Sequence, residues 1–253
     1  MNGIEQGTQE WLNERAGHVT ASRINDVLTK PRKGQKESAV RKAYMAQLIC
    51  ERLTGKSLEE DKGSYWDIKR GKELESTVRS EYDLRTGSAV ETAGFVKHPK
   101  LAWAGCSPDG YVGEIGLVQL KAPRRHVHLD WLINRVVPAE HKNQMLFELA
   151  CLPERQWNDF VSYVDDLPSH LQTFIARQTR DAVKIAEIET AVAEFNAEIE
   201  EKICKLNHSG DADLTPMLEQ SLKEVADKPK PDLRFELREF ERAGSDLGGG
   251  RKF

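Results

Sequence analysis

Several features that define other classes of protein are missing from this sequence of 253 residues. It has no apolar run of about 18 residues that could span a bilayer, and residues 1–15 lack the apolar core of a signal peptide. The four cysteines form no CxxC pair, which argues against a zinc knuckle or a disulfide framework. Nothing resembles a P-loop, so ATP hydrolysis is not indicated. We therefore expect a protein of the reducing cytosol with no membrane partner.

A large excess of one charge is also missing, because the net charge is only −4, but the charge is unevenly distributed. Residues 1–150 carry 23 Lys and Arg against 20 Asp and Glu, whereas residues 151–253 carry 14 against 21. Within the first part, residues 15–42 hold eight basic and two acidic residues. Such a patch suits contact with phosphate. The alternative is a solvated helical face followed by an exposed turn at 30–34.

The hydrophobic pattern switches between helical spacing and short strands, which predicts the α/β class with a small mixed sheet flanked by helices. A helix is expected to start at Thr8 as N-cap. Further helices are predicted at 37–54, 71–85 and 138–151, and strands at 89–96, 102–106, 116–120 and 158–164.

The chain divides into three predicted regions. These are a core domain at 1–168, a long helical extension at 169–207, and an acidic, partly flexible tail at 208–253. In the extension, apolar residues from Ile185 to Leu206 recur every three or four positions. Such a seam packs either on a partner helix or on its own domain, and we expect the second.

Two neighbouring segments carry the clearest chemical pattern, and they read CSPDG at 106–110 and GLVQLK at 116–121. Because alternate positions of a strand face the same side, Gln119 and Lys121 are predicted to point together into a cleft. With Asp109 on the preceding turn, this is the layout of a two-strand nuclease metal site. An ordinary hairpin with an Asp-Gly turn explains the same residues equally well.

Such a site would hold two Mg²⁺ ions, with Mn²⁺ as a substitute, because these cations prefer carboxylate, carbonyl and water ligands. Asp109 would bridge the ions. Gln119, the main-chain carbonyl of Leu120 and the carboxylate of Glu75 would complete the ligand set. Lys121 would orient or deprotonate the attacking water and offset the developing negative charge.

An ordered series of motifs favours the nuclease over the hairpin. From about residue 5 to residue 164 the chain resembles the phage alkaline exonucleases of the lambda-exonuclease type, which have the restriction-endonuclease-like PD-(D/E)xK fold. The motifs that carry the resemblance are EQG at 5–7, VTAS at 19–22, KPRKG at 30–34, GKELE at 71–75, CSPDG at 106–110, QLKAP at 119–123, and Gln144.

The resemblance implies an Mg²⁺-dependent enzyme that digests linear double-stranded DNA from a 5′-phosphorylated end. It would leave 3′ single-stranded tails for recombination by strand annealing. The family works as a ring-shaped homotrimer with a single-strand annealing protein as partner. The expected location is the cytoplasm of a bacterial host, as a phage or prophage protein.

The resemblance also implies roles for individual residues. Arg15 and Ser22 would hold the terminal 5′-phosphate, with Ser107 nearby. Gln144 would line the site as a further catalytic residue, together with the acidic Glu75. The residues implied in DNA binding are Arg32, Lys33, the apolar wedge Ile68, Arg124 and Arg125.

One position departs from the family, in which residue 119 is Glu. Gln119 keeps the shape but lacks the charge, so we predict weaker metal binding, a large loss of turnover and retained DNA binding. The simplest explanation is an engineered substitution that keeps DNA uncut, and a naturally attenuated enzyme is the alternative. Two other functions stay open: a non-catalytic DNA-end-binding module, and a structure-specific endonuclease.

Overall fold

The structure, a computed structural model, describes residues 6–31, 33–34, 37–58 and 65–208, with only the backbone for residues 65–73. Within these ranges the helices are α1 (Gln9–Arg15), α2 (Ile24–Leu28), α3 (Ala39–Thr54), α4 (Tyr65–Thr86), α5 (Arg125–Asn134), α6 (Ala139–Cys151) and α7 (Ala182–His208). The strands are β1 (Val19–Thr20), β2 (Val90–Glu91), β3 (Val96–Lys97), β4 (Ala104–Cys106), β5 (Gly110–Val112), β6 (Gly116–Lys121), β7 (Trp157–Tyr163) and β8 (Thr173–Thr179). None of the described helices is long and apolar enough to cross a membrane.

The strands form two sheets. The smaller has the order β1-β4-β3, with β1 and β4 parallel, and the larger has the order β2-β5-β6-β7-β8. In the larger sheet β6 and β7 are parallel and the other neighbours are antiparallel. Helices α5 and α6 connect β6 to β7. This mixed sheet with flanking helices confirms the predicted α/β class.

Local signals in the sequence define several helix ends as predicted. Thr8 is the N-cap of α1, and its side chain accepts a hydrogen bond from the backbone N–H of Trp11. Helix α3 ends at Gly55, whose φ of 67° lies in the left-handed region that glycine tolerates. The predicted helix at 138–151 and the strand at 158–164 are each found within one residue of the observed bounds.

Two predictions of local structure are wrong. Residues 89–96 are not one strand, since β2 belongs to the larger sheet and β3 to the smaller. The long helix does not begin at 169, because a single 3-10 turn (Ser169–Leu171) is followed by β8, which pairs with the whole of β7, and α7 begins only at Ala182. The strand is favoured because β7 would otherwise leave one edge of backbone hydrogen-bonding groups unpaired. The region boundaries at 168 and 207 stay a prediction, and residues from 209 onward lie outside the described part.

The core joins α7 to the rest of the described fold. Five apolar residues of α7 (Ile185, Ile188, Val192, Phe195 and Ile199) are buried in the same cluster as residues of α3, α6 and β4. Arg41 and Arg52 of α3 add ion pairs to Glu198 and Glu200 of α7. The expected packing of this helix on its own domain is therefore confirmed for the seam from Ile185 to Ile199, whereas Leu206 at its end is exposed. The described residues up to Cys204 belong to one compact unit.

Candidate active site

The hairpin of β5 and β6 positions the predicted catalytic residues. Gly110 lies opposite Val118, so the next position places Asp109 beside Gln119. Val118 and Leu120 are buried in a cluster that includes apolar residues of α4. Residues 117, 119 and 121 consequently share the other face of β6, which is the alternation that the sequence predicted.

Asp109 is the centre of this group. Its Oδ2 accepts a hydrogen bond from the backbone N–H of Leu120 at 2.7 Å and another from Nε2 of Gln119. The Nζ of Lys121 lies 3.8 Å from the same oxygen. Two hydrogen bonds and the ion pair with Lys121 therefore converge on one carboxylate oxygen, and hydrogen bonds to an ionised acceptor are the stronger kind.

Gln119 is 1% exposed and is held at both ends of its amide. Its Nε2 faces Asp109, and its Oε1 accepts a hydrogen bond of 2.6 Å from Nε2 of Gln144 on α6. An ionised carboxylate has only acceptor atoms, so the amide NH₂ of Gln119 must point towards Asp109. The carbonyl oxygen that imitates a carboxylate therefore points towards α6.

Behind Gln144 lies a buried acid that the sequence analysis missed. Glu148 is fully buried, and its two oxygens accept hydrogen bonds from Nε2 of Gln144 at 2.9 Å and from Nδ2 of Asn158 at 2.7 Å. Burial raises the pKa of the Glu148 carboxyl to about 8, and the charge of Asp109 adds to the rise. A Glu inside the apolar run MLFELA, four residues after Gln144, is the sequence signal that could have revealed it.

A neutral histidine also lies near the Lys121 ammonium. His141, on the first turn of α6, stacks on Phe160 with ring centroids 5.1 Å apart. Burial lowers the pKa of His141 to about 4, and the positive charge of Lys121 adds to this effect. The ring is therefore uncharged at neutral pH, which leaves Lys121 as the cation on this side of Asp109.

Glu75 is connected to Asp109 through the side chain of Arg79. It is exposed on α4, and its Oε1 lies 3.5 Å from Nη2 of Arg79. The same nitrogen donates to the main-chain oxygen of Asp109 at 3.2 Å. The structure thus places Glu75 on the side of Asp109 that faces α4, with the guanidinium between the two acids.

Two of the three predicted 5′-phosphate residues, Arg15 and Ser107, are linked through Trp11. The guanidinium carbon of Arg15 lies 4.0 Å from the ring centroid of Trp11, and the indole Nε1 of Trp11 donates to Oγ of Ser107 at 3.2 Å. Ser22 is exposed just after β1, and β1 pairs with β4, the strand that leads to Ser107. Trp11 therefore joins Arg15 to Ser107.

The predicted DNA-binding residues are described only in part. Lys33 is exposed in the turn before α3, and Arg124 is exposed directly before α5. Arg125 is also exposed but forms an ion pair with Asp166. Arg32 and the side chain of Ile68 lie outside the described residues.

The donor set at Asp109 suits a cation that keeps much of its water. In the described part of the chain no group of three or more His, Cys, Asp and Glu side chains converges on one point. Among the residues whose side chains the structure describes, Asp109 is the carboxylate in contact with residues 119 and 120. The Leu120 carbonyl and Glu75 are the further oxygen donors predicted for the site. Mg²⁺ is commonly bound through only one or two carboxylates with several waters, so these residues fit Mg²⁺.

Comparison with known proteins identifies the family. The model described as "YqaJ-like viral recombinase domain" matches residues 10–153. The alkaline exonuclease LHK-Exo of Laribacter hongkongensis is 42% identical, with 81% of this chain and 98% of that chain covered and a TM-score of 0.73. LHK-Exo in complex with dAMP matches at 43% identity with the same coverage and TM-score.

A phage-related exonuclease from Haemophilus somnus 129PT shares the fold, with 16% identity, a TM-score of 0.59, and coverage of 75% of this chain and 96% of that one. No protein in the curated set matches the chain. The matches at higher identity support a nuclease role in recombination, with the chemistry of a deoxyribonuclease. The chain belongs to the YqaJ-like viral recombinase family, within the phage-type alkaline exonucleases.

Proposed function

We propose that the chain is an Mg²⁺-dependent exonuclease that digests linear double-stranded DNA from the 5′ end and leaves 3′ single-stranded tails for strand annealing. One observation carries the proposal: Asp109 contacts Gln119 and Leu120, with the Lys121 ammonium 3.8 Å away. A carboxylate with a lysine ammonium beside it, together with the carbonyl predicted for Leu120, supplies the kinds of group that phosphodiester hydrolysis with a hard cation requires.

Each residue of the site has a part in this reaction. Asp109, the Leu120 carbonyl and Glu75 would hold Mg²⁺, which when bound lowers the pKa of a water and stabilises charge on the phosphate. Lys121 orients the water and offsets negative charge that develops on the phosphate oxygens. Gln144 donates a hydrogen bond to the side chain at position 119 and so fixes its direction.

The 5′ end would be recognised by Arg15 with the hydroxyls of Ser107 and Ser22. Arg15 is only 9% exposed and its guanidinium stacks on Trp11, so its position is fixed before DNA binds. Arg side chains bind phosphate through paired, charge-assisted hydrogen bonds. A terminal phosphate offers more acceptor oxygens and more charge than a 5′-hydroxyl, which explains a preference for phosphorylated ends.

The chain as it stands is expected to be a slow enzyme. Gln119 brings no negative charge to the cation and turns its NH₂ rather than its oxygen towards Asp109. A loss of roughly 3–4 kcal/mol in transition-state stabilisation corresponds to about two to three orders of magnitude in rate. DNA binding is retained, because the substitution adds no charge that would repel phosphate.

End dependence is tested with the Gln119→Glu variant and three substrates in Mg²⁺. We expect rapid digestion of linear duplex with 5′-phosphate, slower digestion with 5′-hydroxyl, and no cutting of closed circular duplex. Equal digestion of the two linear substrates would contradict the proposed role of Arg15 and its neighbours. Cutting of the circle would favour a structure-specific endonuclease.

A second candidate function is a DNA-end-binding module that does not cut. The observation that favours it is the hydrogen bond from Nε2 of Gln119 to Oδ2 of Asp109. This amide nitrogen occupies a position beside the carboxylate where a cation could otherwise bind. End affinity without divalent cations separates the two. A module binds ends equally well with and without Mg²⁺, whereas in the enzyme Mg²⁺ strengthens binding because it offsets charge between Asp109 and the phosphate.

The proposed assembly is a homotrimer that encircles DNA and works with a single-strand annealing protein in the cytoplasm of a bacterial host. Lys33, Arg124, Arg125, Arg32 and Ile68 are the proposed DNA contacts. Sedimentation equilibrium of the whole chain is expected to give three times the mass of 28.6 kDa. A monomer at micromolar concentration would contradict the ring.

A further inference from the structure

Glu148 has no part in the proposed mechanism, although its burial is unfavourable for the free energy of folding. It is fully buried on α6, and its partners within hydrogen-bonding distance, Gln144 and Asn158, are neutral amides. A buried carboxyl without a cationic partner is unfavourable compared with an apolar side chain of similar size. Such a residue in the core of a helix calls for a role beyond packing.

The hydrogen bonds lead from Glu148 to the centre of the site in one chain. Glu148 and Gln119 both accept from Nε2 of Gln144, at 2.9 Å and 2.6 Å. An NH₂ group has two hydrogens, so this nitrogen serves both acceptors. The other end of Gln119 then contacts Asp109.

Glu148 decides which way the amide of Gln144 faces. Oε1 of Glu148 accepts a hydrogen bond from Nε2 of Gln144, and an amide oxygen cannot donate one, so this contact keeps the NH₂ of Gln144 turned towards Glu148 and towards position 119. The side chain at position 119 then accepts a hydrogen bond from the NH₂ of Gln144 on α6. A carboxylate at position 119 would accept a stronger, charge-assisted hydrogen bond from the same NH₂ group.

We propose that Glu148 is a positioning residue: together with Asn158 it holds Gln144 as a hydrogen-bond donor, and through Gln144 it fixes the acid of the family's position 119 against Asp109. This inference rests on the proposed nuclease function. It assigns Glu148 and Asn158 to the support of the site, although neither is among the proposed contacts with DNA or with Mg²⁺.

Asn158 fits this role from the other side. It is fully buried on β7, its Nδ2 donates to Glu148, and its Oδ1 has no hydrogen-bond partner among the described residues. An amide placed at 148 by Glu148→Gln can donate to this oxygen after rotation of the Asn158 amide, while its own oxygen still accepts from Gln144. Glu148→Gln is therefore the conservative variant, and Glu148→Met, which has no strong acceptor, is the disruptive one.

The first test is catalytic and is made in the Gln119→Glu background. We expect Glu148→Met to lower kcat roughly tenfold, the size of one hydrogen bond to a charged group, with little change in KM for DNA. Glu148→Gln should recover most of the rate. If both variants retain the kcat of the background, the proposal is overturned.

The matched control is Asp159→Asn. Asp159 is the next residue after Asn158 and is also a buried acid, but it contacts Arg177 and Tyr82 instead of the site. A purely structural role of Glu148 predicts that both substitutions lower the melting temperature and neither lowers kcat. The positioning role predicts a loss of kcat for Glu148→Met alone, measured well below both melting temperatures.

The second test needs no activity and uses the chain with Gln119 in place. The side-chain NH₂ protons of Gln119 and Gln144 are followed by NMR hydrogen exchange. We expect Glu148→Met to accelerate the exchange of both pairs roughly tenfold, and Glu148→Gln to leave them close to the parent. Unchanged exchange at Gln119 would overturn the proposal, whereas coupled exchange in a protein whose Gln119→Glu variant cuts no DNA would refute the nuclease function and leave the positioning role.

Discussion

Asp159 and Glu148 are both buried acids, but the two faces of the central sheet stabilise them in different ways. On the α4 side, Asp159 accepts two hydrogen bonds from Arg177, at 2.7 and 2.9 Å, and one from the hydroxyl of Tyr82 at 2.8 Å. The Arg177 guanidinium carbon also lies 3.6 Å from the ring centroid of Trp157. Asp159 is therefore stabilised by a cation and by a hydroxyl donor.

On the α6 side, Glu148 has only the amides of Gln144 and Asn158, and the negative charge of Asp109 lies close enough to raise its pKa further. The first arrangement stabilises the fold. The second is unfavourable for stability and is expected where a structure supports a functional site. The difference separates a face built for stability from a face built for the reaction.

The largest expected effect is on stability and comes from removal of the ion pair between Arg177 and Asp159. Arg177→Met should lower the free energy of unfolding by about 2–3 kcal/mol, because it leaves the Asp159 charge buried without its cation, although half of the Arg177 side chain is solvated. Urea denaturation measures the change, and activity of the folded protein should not change. A loss below roughly 0.5 kcal/mol would contradict the distinction between the faces.

A smaller effect is expected at the turn that holds Asp109. A Cβ at Gly110 would lie 2.2 Å from Cγ1 of Val90 and 3.0 Å from the main-chain oxygen of Glu91. Gly110→Ala should therefore cost about 1–2 kcal/mol of stability and lower the activity of the Gln119→Glu enzyme by displacing Asp109. Circular dichroism melts and initial rates measure the two effects. Val90→Ala in the same chain should restore part of both, and no recovery would show that the clash is not the cause.

The smallest expected effect is a pH dependence of the free energy of unfolding that arises from Glu148. Its pKa is about 8 in the folded protein and 4.5 in the unfolded reference, so the folded state holds a proton that the unfolded state has released. Stability must then fall as pH rises through this window, with a limiting slope of about 1.4 kcal/mol per pH unit. We expect a loss of roughly 1 kcal/mol between pH 7 and 8 without divalent cations.

Glu148→Gln is the control for this pH dependence. The lowered pKa values of His18, His98, His128 and His141 act in the opposite direction, but only below about pH 6.5, where the unfolded state gains protons first. The difference between the two proteins above pH 7 therefore reports Glu148. Parallel stability curves would show that Glu148 is ionised in the folded protein throughout this range.

The sequence predicted those parts of the fold and site that depend on local signals. Thr8 and Gly55 define helix ends through side-chain capping and backbone conformation, and the alternation along β6 places Gln119 and Lys121 on one face. The family motifs predicted Asp109 and Gln144, and the structure brings both into contact with Gln119.

The parts that could not be predicted depend on contacts between distant residues. The strand β8 was mistaken for helix because its pairing with β7 is a tertiary interaction that a local pattern does not contain. Glu148 was missed because a Glu in a helix is usually solvated, and its burial depends on the packing of α6 against distant parts of the chain, including the contact with Asn158 on β7. Arg79 was missed for the same reason, since its contact with Asp109 joins positions 30 residues apart.

The most direct test of the account is the rate of Mg²⁺-dependent digestion of linear, 5′-phosphorylated duplex by Gln119→Glu compared with the parent chain. The account predicts a gain of about two to three orders of magnitude, which a further Asp109→Asn substitution removes. No gain, or a gain that persists without the Asp109 carboxylate, would contradict the assignment of this hairpin as the active site.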